Sequence, residues 1–359
     1  MRRQELMGMF CLLLTALIWG FAFVAQVQGM DSMSPLFFNA SRFTLGALSL
    51  VPILIWQRWR GRVGSSVAAV DDATTAAGVA GADSVEIGGS ADADSGRPVS
   101  VSPDTLEDAS AHGTHAVPFW AAWLANPIVV SVLCGVVLFT ASTLQQYGIL
   151  YGKSAGRAGF LTALYIVMVP LLAFVFLRRR IGILVGAAVA FAVVGFYLLC
   201  VTDGFGSIGF ADILLLFTAV LFAAHILIID TLGSKVNAIV LSFGQFCTTS
   251  VLSWIGSMIE GSVDWVGAAH SWLPILYAGI GSVGIAYTLQ AVVQQWVPPT
   301  RASLLMSLES FFSAVGGAIF LGEVMTPRGY LGCALIFFGT LLAQAPAKLP
   351  KFLDSRRAS

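Results

Sequence analysis

Thr15-Ala16-Leu17-Ile18-Trp19 and Thr218-Ala219-Val220-Leu221-Phe222 lie 203 residues apart and read alike, position for position. The same shift, without a gap, sets Arg42-Phe43 on Gln245-Phe246. A shift of 145 sets Thr143-Leu144-Gln145 on Thr288-Leu289-Gln290, and a shift of 144 sets Arg157-Ala158 on Arg301-Ala302 and Gly195 on Gly339. Three concordant windows in one order mark two copies of a single unit. Apolar stretches of spanning length read at about 7–27, 34–56, 127–149, 157–177, 181–202, 210–230, 237–258, 272–295, 301–321 and 328–345, five to each copy. An odd number of helices reverses the second copy in the bilayer. The sequence therefore predicts an all-α polytopic membrane protein of ten transmembrane helices, arranged as two inverted five-helix repeats with the solute site between them near the midplane.

Composition points the same way. Of 359 residues, 57% are hydrophobic and 11% charged, against roughly a quarter charged in soluble domains. That balance excludes a soluble enzyme. Residues 61–118 stand apart, with no Phe, Trp or Tyr, nine acids, two arginines and eight glycines, a mixture that buries too little apolar surface to fold alone. The domain reading is helices 1–2 of the first repeat in 1–60, a disordered cytoplasmic insert in 61–118, and helices 3–5 in 119–203. The second repeat follows in 204–345, and a basic tail in 346–359. The net charge of zero hides −7 in the insert and +7 elsewhere. With the N-terminus inside, fourteen Lys and Arg fall on inner segments, among them Arg58, Arg60, Arg178, Arg179, Arg180 and Arg301, against Lys153, Arg157 and Arg328 outside. The excess thus follows membrane topology, not a nucleic-acid face. The Arg2-Arg3 start leads into a long apolar stretch without a small-x-small cleavage site, so the first helix reads as a span. Both termini are expected in the cytoplasm of a plasma-membrane protein.

The five cysteines lie in apolar stretches without Cys-x-x-Cys spacing, and His112-Gly-Thr-His115 has no thiolate or aligned carboxylate beside it. No metal or cofactor is assigned. Gly152-Lys153-Ser154-Ala155-Gly156 matches Gly-x-Ser-x-Gly but falls between two membrane helices, where a nucleophile elbow needs a strand-to-helix turn. No Walker A string is present.

Ala16-Leu17-Ile18-Trp19-Gly20, Phe38-Asn39-Ala40-Ser41-Arg42-Phe43, Ala158-Gly159-Phe160-Leu161 and Val169-Pro170-Leu171 in the first half resemble the EamA-like ten-helix members of the drug/metabolite transporter superfamily. In the second half the resemblance rests on Ala302-Ser303-Leu304-Leu305-Met306-Ser307-Leu308-Glu309, Leu321-Gly322-Glu323, Gly332 and Gly339. It covers nearly all of the chain outside 61–118 and the ends. Two positions depart from the pattern: Ser310 stands where the family commonly has proline, and Arg179 stands opposite Glu323 in the repeat. The resemblance implies a central cavity lined by helices one to four and six to nine, with the fifth and tenth at the periphery. It also implies alternating-access movement of small organic solutes, most often export.

Glu309 lies eight residues, or about 12 Å, into the ninth span, and a carboxyl group at that depth is costly to keep unless it functions. It either exchanges a proton during transport, holds a substrate ammonium, or serves as a structural acid. Arg42 lies eight residues into the second span at similar depth. Its planar fork suits a substrate carboxylate; a lasting ion pair or hydrogen bonds to backbone carbonyls are the structural alternative. The repeat mate of Arg42 is neutral Gln245, and that of Glu309 is Tyr165. Trp19, Asn39, Gln145, His225, Tyr287 and Gln290 complete the polar and aromatic candidates for the cavity wall, each also able to serve as a helix-packing hydrogen bond. Glu323 at a helix end reads as a cap or gate contact. The expectation is a secondary transporter, not an enzyme, for a small amino-acid-like or amphipathic amine solute, with membrane lipid as its surroundings, proton coupling at Glu309 and no nucleic-acid partner; the oligomeric state stays open. A membrane-embedded enzyme and a channel-like or accessory membrane protein are the alternatives. Reporter fusions at both termini and within 61–118 are expected to score as cytoplasmic, and an external insert would contradict the charge-based topology.

Overall fold

The computed structural model describes residues 3–80, 126–178, 183–200, 208–233, 236–293, 305–306 and 308–343, and every regular element among them is helical. In lipid a backbone must satisfy its own polar groups, and helices do so within one segment. The first element, α1, is Arg3–Gly29, followed by α2 (Pro35–Ala80) and α3 (Pro127–Gly152). A broken pair follows, α4 (Ala155–Ala163) and α5 (Tyr165–Leu177), then α6 (Ile183–Cys200), α7 (Phe210–Thr231) and α8 (Ala238–Glu260). Short α9 (Trp265–His270) and α10 (Trp272–Leu276) lead into a π-helical segment, Tyr277–Tyr287, which continues as α11 (Thr288–Val293). The last two are α12 (Leu308–Phe320) and α13 (Pro327–Ala343).

Among the described residues, seven helical stretches are long and apolar enough to cross a membrane: 6–29, 35–59, 127–152, 155–176, 210–231, 238–260 and 272–293. Three shorter apolar helices occupy 186–199, 308–320 and 327–342. Two units are present, one of residues 1–51 with 124–359 and one of residues 52–123. All contacts given below lie in the first. In the second, α2 runs on past Pro52 to Ala80, so residues 61–80 carry a helical backbone where the composition reads as a disordered insert. Ala68, Ala69, Ala73, Ala76, Ala77 and Ala80 account for this, because alanine is the strongest helix former. Residues 81–118, with His112 and His115, lie outside the described residues.

Local sequence sets the helix ends. Asn126 caps α3 through its side chain on Ile128 N at 2.9 Å, with Pro127 at the first helical position, and Ser154 caps α4 on Arg157 N at 3.2 Å. Asn237 caps α8 in the same way, and Gly261 closes it at φ 64°. Two expected spans deviate from a continuous α-helix. Leu164 interrupts the stretch read at 157–177, and the stretch at 272–295 widens into the π segment, whose Gly279, Gly281 and Gly284 supply little side-chain bulk to resist the broader turn.

The packing has a reciprocal pattern. Helix α1 packs on α12 and on the π segment, while α7 packs on α3 and on α4 and α5; α6 and α13 pack on each other. Between α6 and α13 the backbones touch: a Cβ on Gly195 would stand 2.6 Å from Gly332 O, and one on Gly332 2.7 Å from Gly195 O. Any side chain there forces the helices apart. Gly195→Leu is accordingly expected to cost about 1–3 kcal/mol of stability, read as a lowered thermal midpoint in detergent. Gly186→Leu on the same helix, where a Cβ meets nothing within 4 Å, should leave the midpoint unchanged.

Candidate functional site

A cavity opens inside the first unit, walled by α1, α2, α3, α4, α5, α7, the π segment, α11 and α12. Helix α1 contributes Trp19, Ala22, Phe23 and Gln26, spaced i, i+3, i+4 and i+7 on one face. Helix α7 contributes Phe222, His225 and Ile226, which the shift of 203 pairs with Trp19, Ala22 and Phe23. Gln145 and Gln290, paired by the shift of 145, also line it, as do Tyr165 and Glu309, paired by 144. Positions matched by the repeat register thus face one space.

Arg42 is 4% exposed, and its guanidinium carbon sits 5.0 Å from the Phe43 ring centroid and 5.7 Å from that of Phe38. Rings attract a cation through their negative faces. Among the described residues no hydrogen bond or ion pair reaches this guanidinium, and its Nε is buried without a partner. Glu309, 7% exposed, accepts one long hydrogen bond, from the Tyr165 hydroxyl at 3.5 Å. The basic and the acidic side chain line one cavity, and among the described residues they do not pair with each other. What brings Glu309 there is the close approach of α1 to α12, where a Cβ on Gly20 would lie 2.9 Å from Glu309 O.

The other walls are fixed by bonds among themselves. Trp19 Nε1 donates to Ser282 O at 3.3 Å, a carbonyl of the π segment, and its ring meets Tyr287 edge-on at 4.8 Å. His225 Nε2 pairs with Gln245 Oε1 at 2.9 Å, and Gln145 Nε2 donates to Thr162 Oγ1 at 3.4 Å. Tyr165 stands against Phe222, with ring centroids 6.5 Å apart.

Eight of the ten residues singled out from the sequence line this cavity: Trp19, Arg42, Gln145, Tyr165, His225, Tyr287, Gln290 and Glu309. Gln245 does not line it and instead bonds to His225. Asn39 is fully buried on α2 away from the cavity wall, and neither of its side-chain polar atoms has a partner among the described residues. Gln26, Thr162 and Phe222 are additions. Gln26 was detectable as the residue seven after Trp19, two turns along the same face, and Phe222 as the repeat mate of Trp19.

Away from the cavity, Glu323 accepts from Ser154 Oγ at 2.8 Å, Ala155 N at 2.5 Å and Gly156 N at 3.1 Å, which makes it a cap on the first turn of α4. The Gly152–Gly156 string therefore holds a helix start, its serine engaged with Glu323 and with Arg157 N. Arg157 forms a two-pronged ion pair with Asp212 at 2.7 and 2.6 Å, tying α4 to α7.

Several known proteins are similar to this chain. The model of the EamA-like transporter family matches residues 6–70 and 209–344. An uncharacterized transporter of Archaeoglobus fulgidus is 25% identical over 336 residues, 92% of this chain and 83% of that protein. The threonine/homoserine exporter RhtA of Escherichia coli is 28% identical over 120 residues, 33% of this chain and 40% of RhtA. A solved crystal structure shares the fold at TM-score 0.56 and 19% identity, covering 99% of this chain and 100% of that one.

A charge buried without a partner is a stability cost that the fold carries for another reason. Arg42→Gln and Glu309→Gln are therefore expected to keep or raise the thermal midpoint of the purified protein while lowering gradient-driven transport by roughly tenfold or more. A fall of the midpoint in both variants would show that the charges serve the fold.

Proposed function

Because the chain belongs to the EamA-like transporter family, and is a multi-pass membrane transporter, we propose that it moves small zwitterionic, amino-acid-like solutes across the plasma membrane by alternating access, in the direction of export. The observation that carries this reading is the pair of opposite, mutually unpaired charges in one cavity. Arg42 takes the solute carboxylate with its fork of donors, and Glu309 takes the ammonium. The faces of Trp19 and Tyr165 hold the apolar part of the solute. In a cavity of low dielectric each charged contact strengthens, and this offsets the desolvation of the solute. RhtA, an exporter of threonine and homoserine, supports the substrate class over the third of this chain that aligns with it.

The ten-helix inverted repeat is part of the same proposal. Its support is the register: residues paired by shifts of 203, 145 and 144 face the same cavity, and the packing of α1 on α12 and the π segment mirrors that of α7 on α3, α4 and α5. Two such halves exchange their contacts when the cavity turns from one side of the membrane to the other. With both termini in the cytoplasm, the first turn of α4, held by Glu323 and by the Arg157–Asp212 pair, lies at the external end. Glu309 is in addition the residue assigned to proton coupling, since a carboxyl group that releases its proton can take the ammonium and one that regains it lets the ammonium go.

The test uses proteoliposomes. An amino acid is expected to compete for transport better than either its carboxamide or its deaminated acid, because each derivative leaves one charge of the cavity unanswered. Equal competition by all three would reject the two-charge site. In the same vesicles Glu309→Gln should lose transport driven by a pH gradient and retain solute exchange; gradient-driven transport equal to that of the parent would remove Glu309 from coupling.

A further inference from the structure

Gln26 faces the cavity from α1 and is 4% exposed. Its Nε2 donates to Ala22 O at 3.2 Å. That bond fixes the orientation of the amide, because turning it over would set Oε1 against a carbonyl oxygen that can only accept. Oε1 is thereby committed as an acceptor, and it is buried with no hydrogen-bond partner among the described residues. The donors around the cavity do not supply one. Trp19 is engaged with Ser282 O, Tyr165 with Glu309, His225 with Gln245 and Gln145 with Thr162. Arg42 does not supply it either, since Gln26 Oε1 has no partner among the described residues.

A buried amide oxygen without a donor is unfavourable, and folded chains keep few of them. In a cavity that receives a solute, the missing donor belongs to the solute. We propose that Gln26 is a specificity-determining residue: its Oε1 accepts a hydrogen bond from a hydroxyl or amide on the side chain of the transported solute, so that zwitterions bearing such a donor are selected over aliphatic ones of the same shape. This rests on the proposed zwitterion site, in which Arg42 and Glu309 take the two charges and leave Gln26 to read the side chain. A solute with a methyl group in place of the donor leaves the oxygen unpaired, and a site built around a hydrogen bond rejects such an analogue more strongly than an apolar pocket does.

Threonine and valine have nearly the same shape and differ by a hydroxyl in place of a methyl, which makes them the probes. In counterflow with the full-length protein, threonine is expected to outcompete valine by roughly tenfold. Gln26→Leu should bring that ratio close to one, and Gln26→Glu, which keeps an acceptor, should preserve a preference for threonine. A ratio near one in the parent overturns the proposal whether or not any variant folds. So does an equal loss of threonine and valine competition in Gln26→Leu, which would assign the oxygen to the solute ammonium, and so does an unchanged ratio, which would assign it to bound water. Threonine, its carboxamide and its deaminated acid measured together report on the two-charge site separately, so its failure is distinguishable from that of Gln26.

Discussion

A basic and an acidic side chain held in one cavity, and kept from each other, set the terms for the rest of this protein. An ion pair would be the cheaper arrangement for Arg42 and Glu309, since each is buried and each would relieve the desolvation of the other. Instead Arg42 rests near the rings of Phe38 and Phe43, and among the described residues Glu309 accepts its hydrogen bond from the Tyr165 hydroxyl. Holding them there requires rigid walls. The Trp19–Ser282 and His225–Gln245 bonds and the close contact of α1 with α12 at Gly20 supply that rigidity. A cavity whose charges were satisfied internally would have little to offer a charged solute.

The proposed inverted repeat would let the site be asymmetric on a symmetric plan. Trp19 and Phe222, Gln145 and Gln290, and Tyr165 and Glu309 stand at positions matched by the sequence shifts and line the same cavity. The charges are not duplicated. Arg42 is matched by Gln245, which turns to His225, and Glu309 by Tyr165, which bonds to it. In the proposed transporter the shared shape serves the exchange of conformations and the unshared charges serve recognition. Gln26, whose repeat mate Ile229 is apolar, adds a second unshared feature on the side of α1.

The helical class and most of the polar residues lining the cavity were legible in the sequence because each rests on a local or periodic signal. A polar residue within an apolar span announces that it avoids lipid, and for Arg42, Gln145 and Glu309 the refuge is the cavity. The same signal does not say which neighbour the residue meets. Asn39 is polar, fully buried and three residues from Arg42, yet it stays off the cavity wall, and Gln245 meets His225 instead of open space. The π segment was not legible either: Gly279, Gly281 and Gly284 permit a wider turn, but the carbonyl that receives the Trp19 indole is contributed by a helix far along the chain. The helical backbone of α2 to Ala80 is not legible in the overall polarity of 61–80, where the alanines favour a helix.

The most direct measurement is charge-matched specificity in single variants. Binding of an amino acid, its carboxamide and its deaminated acid would be measured to purified Arg42→Gln and Glu309→Gln proteins. If Arg42 takes the carboxylate and Glu309 the ammonium, Arg42→Gln should bind the amino acid no better than its carboxamide while still discriminating against the deaminated acid. Glu309→Gln should show the reverse. Variants that weaken all three ligands in the same proportion would contradict the assignment of one solute charge to each residue.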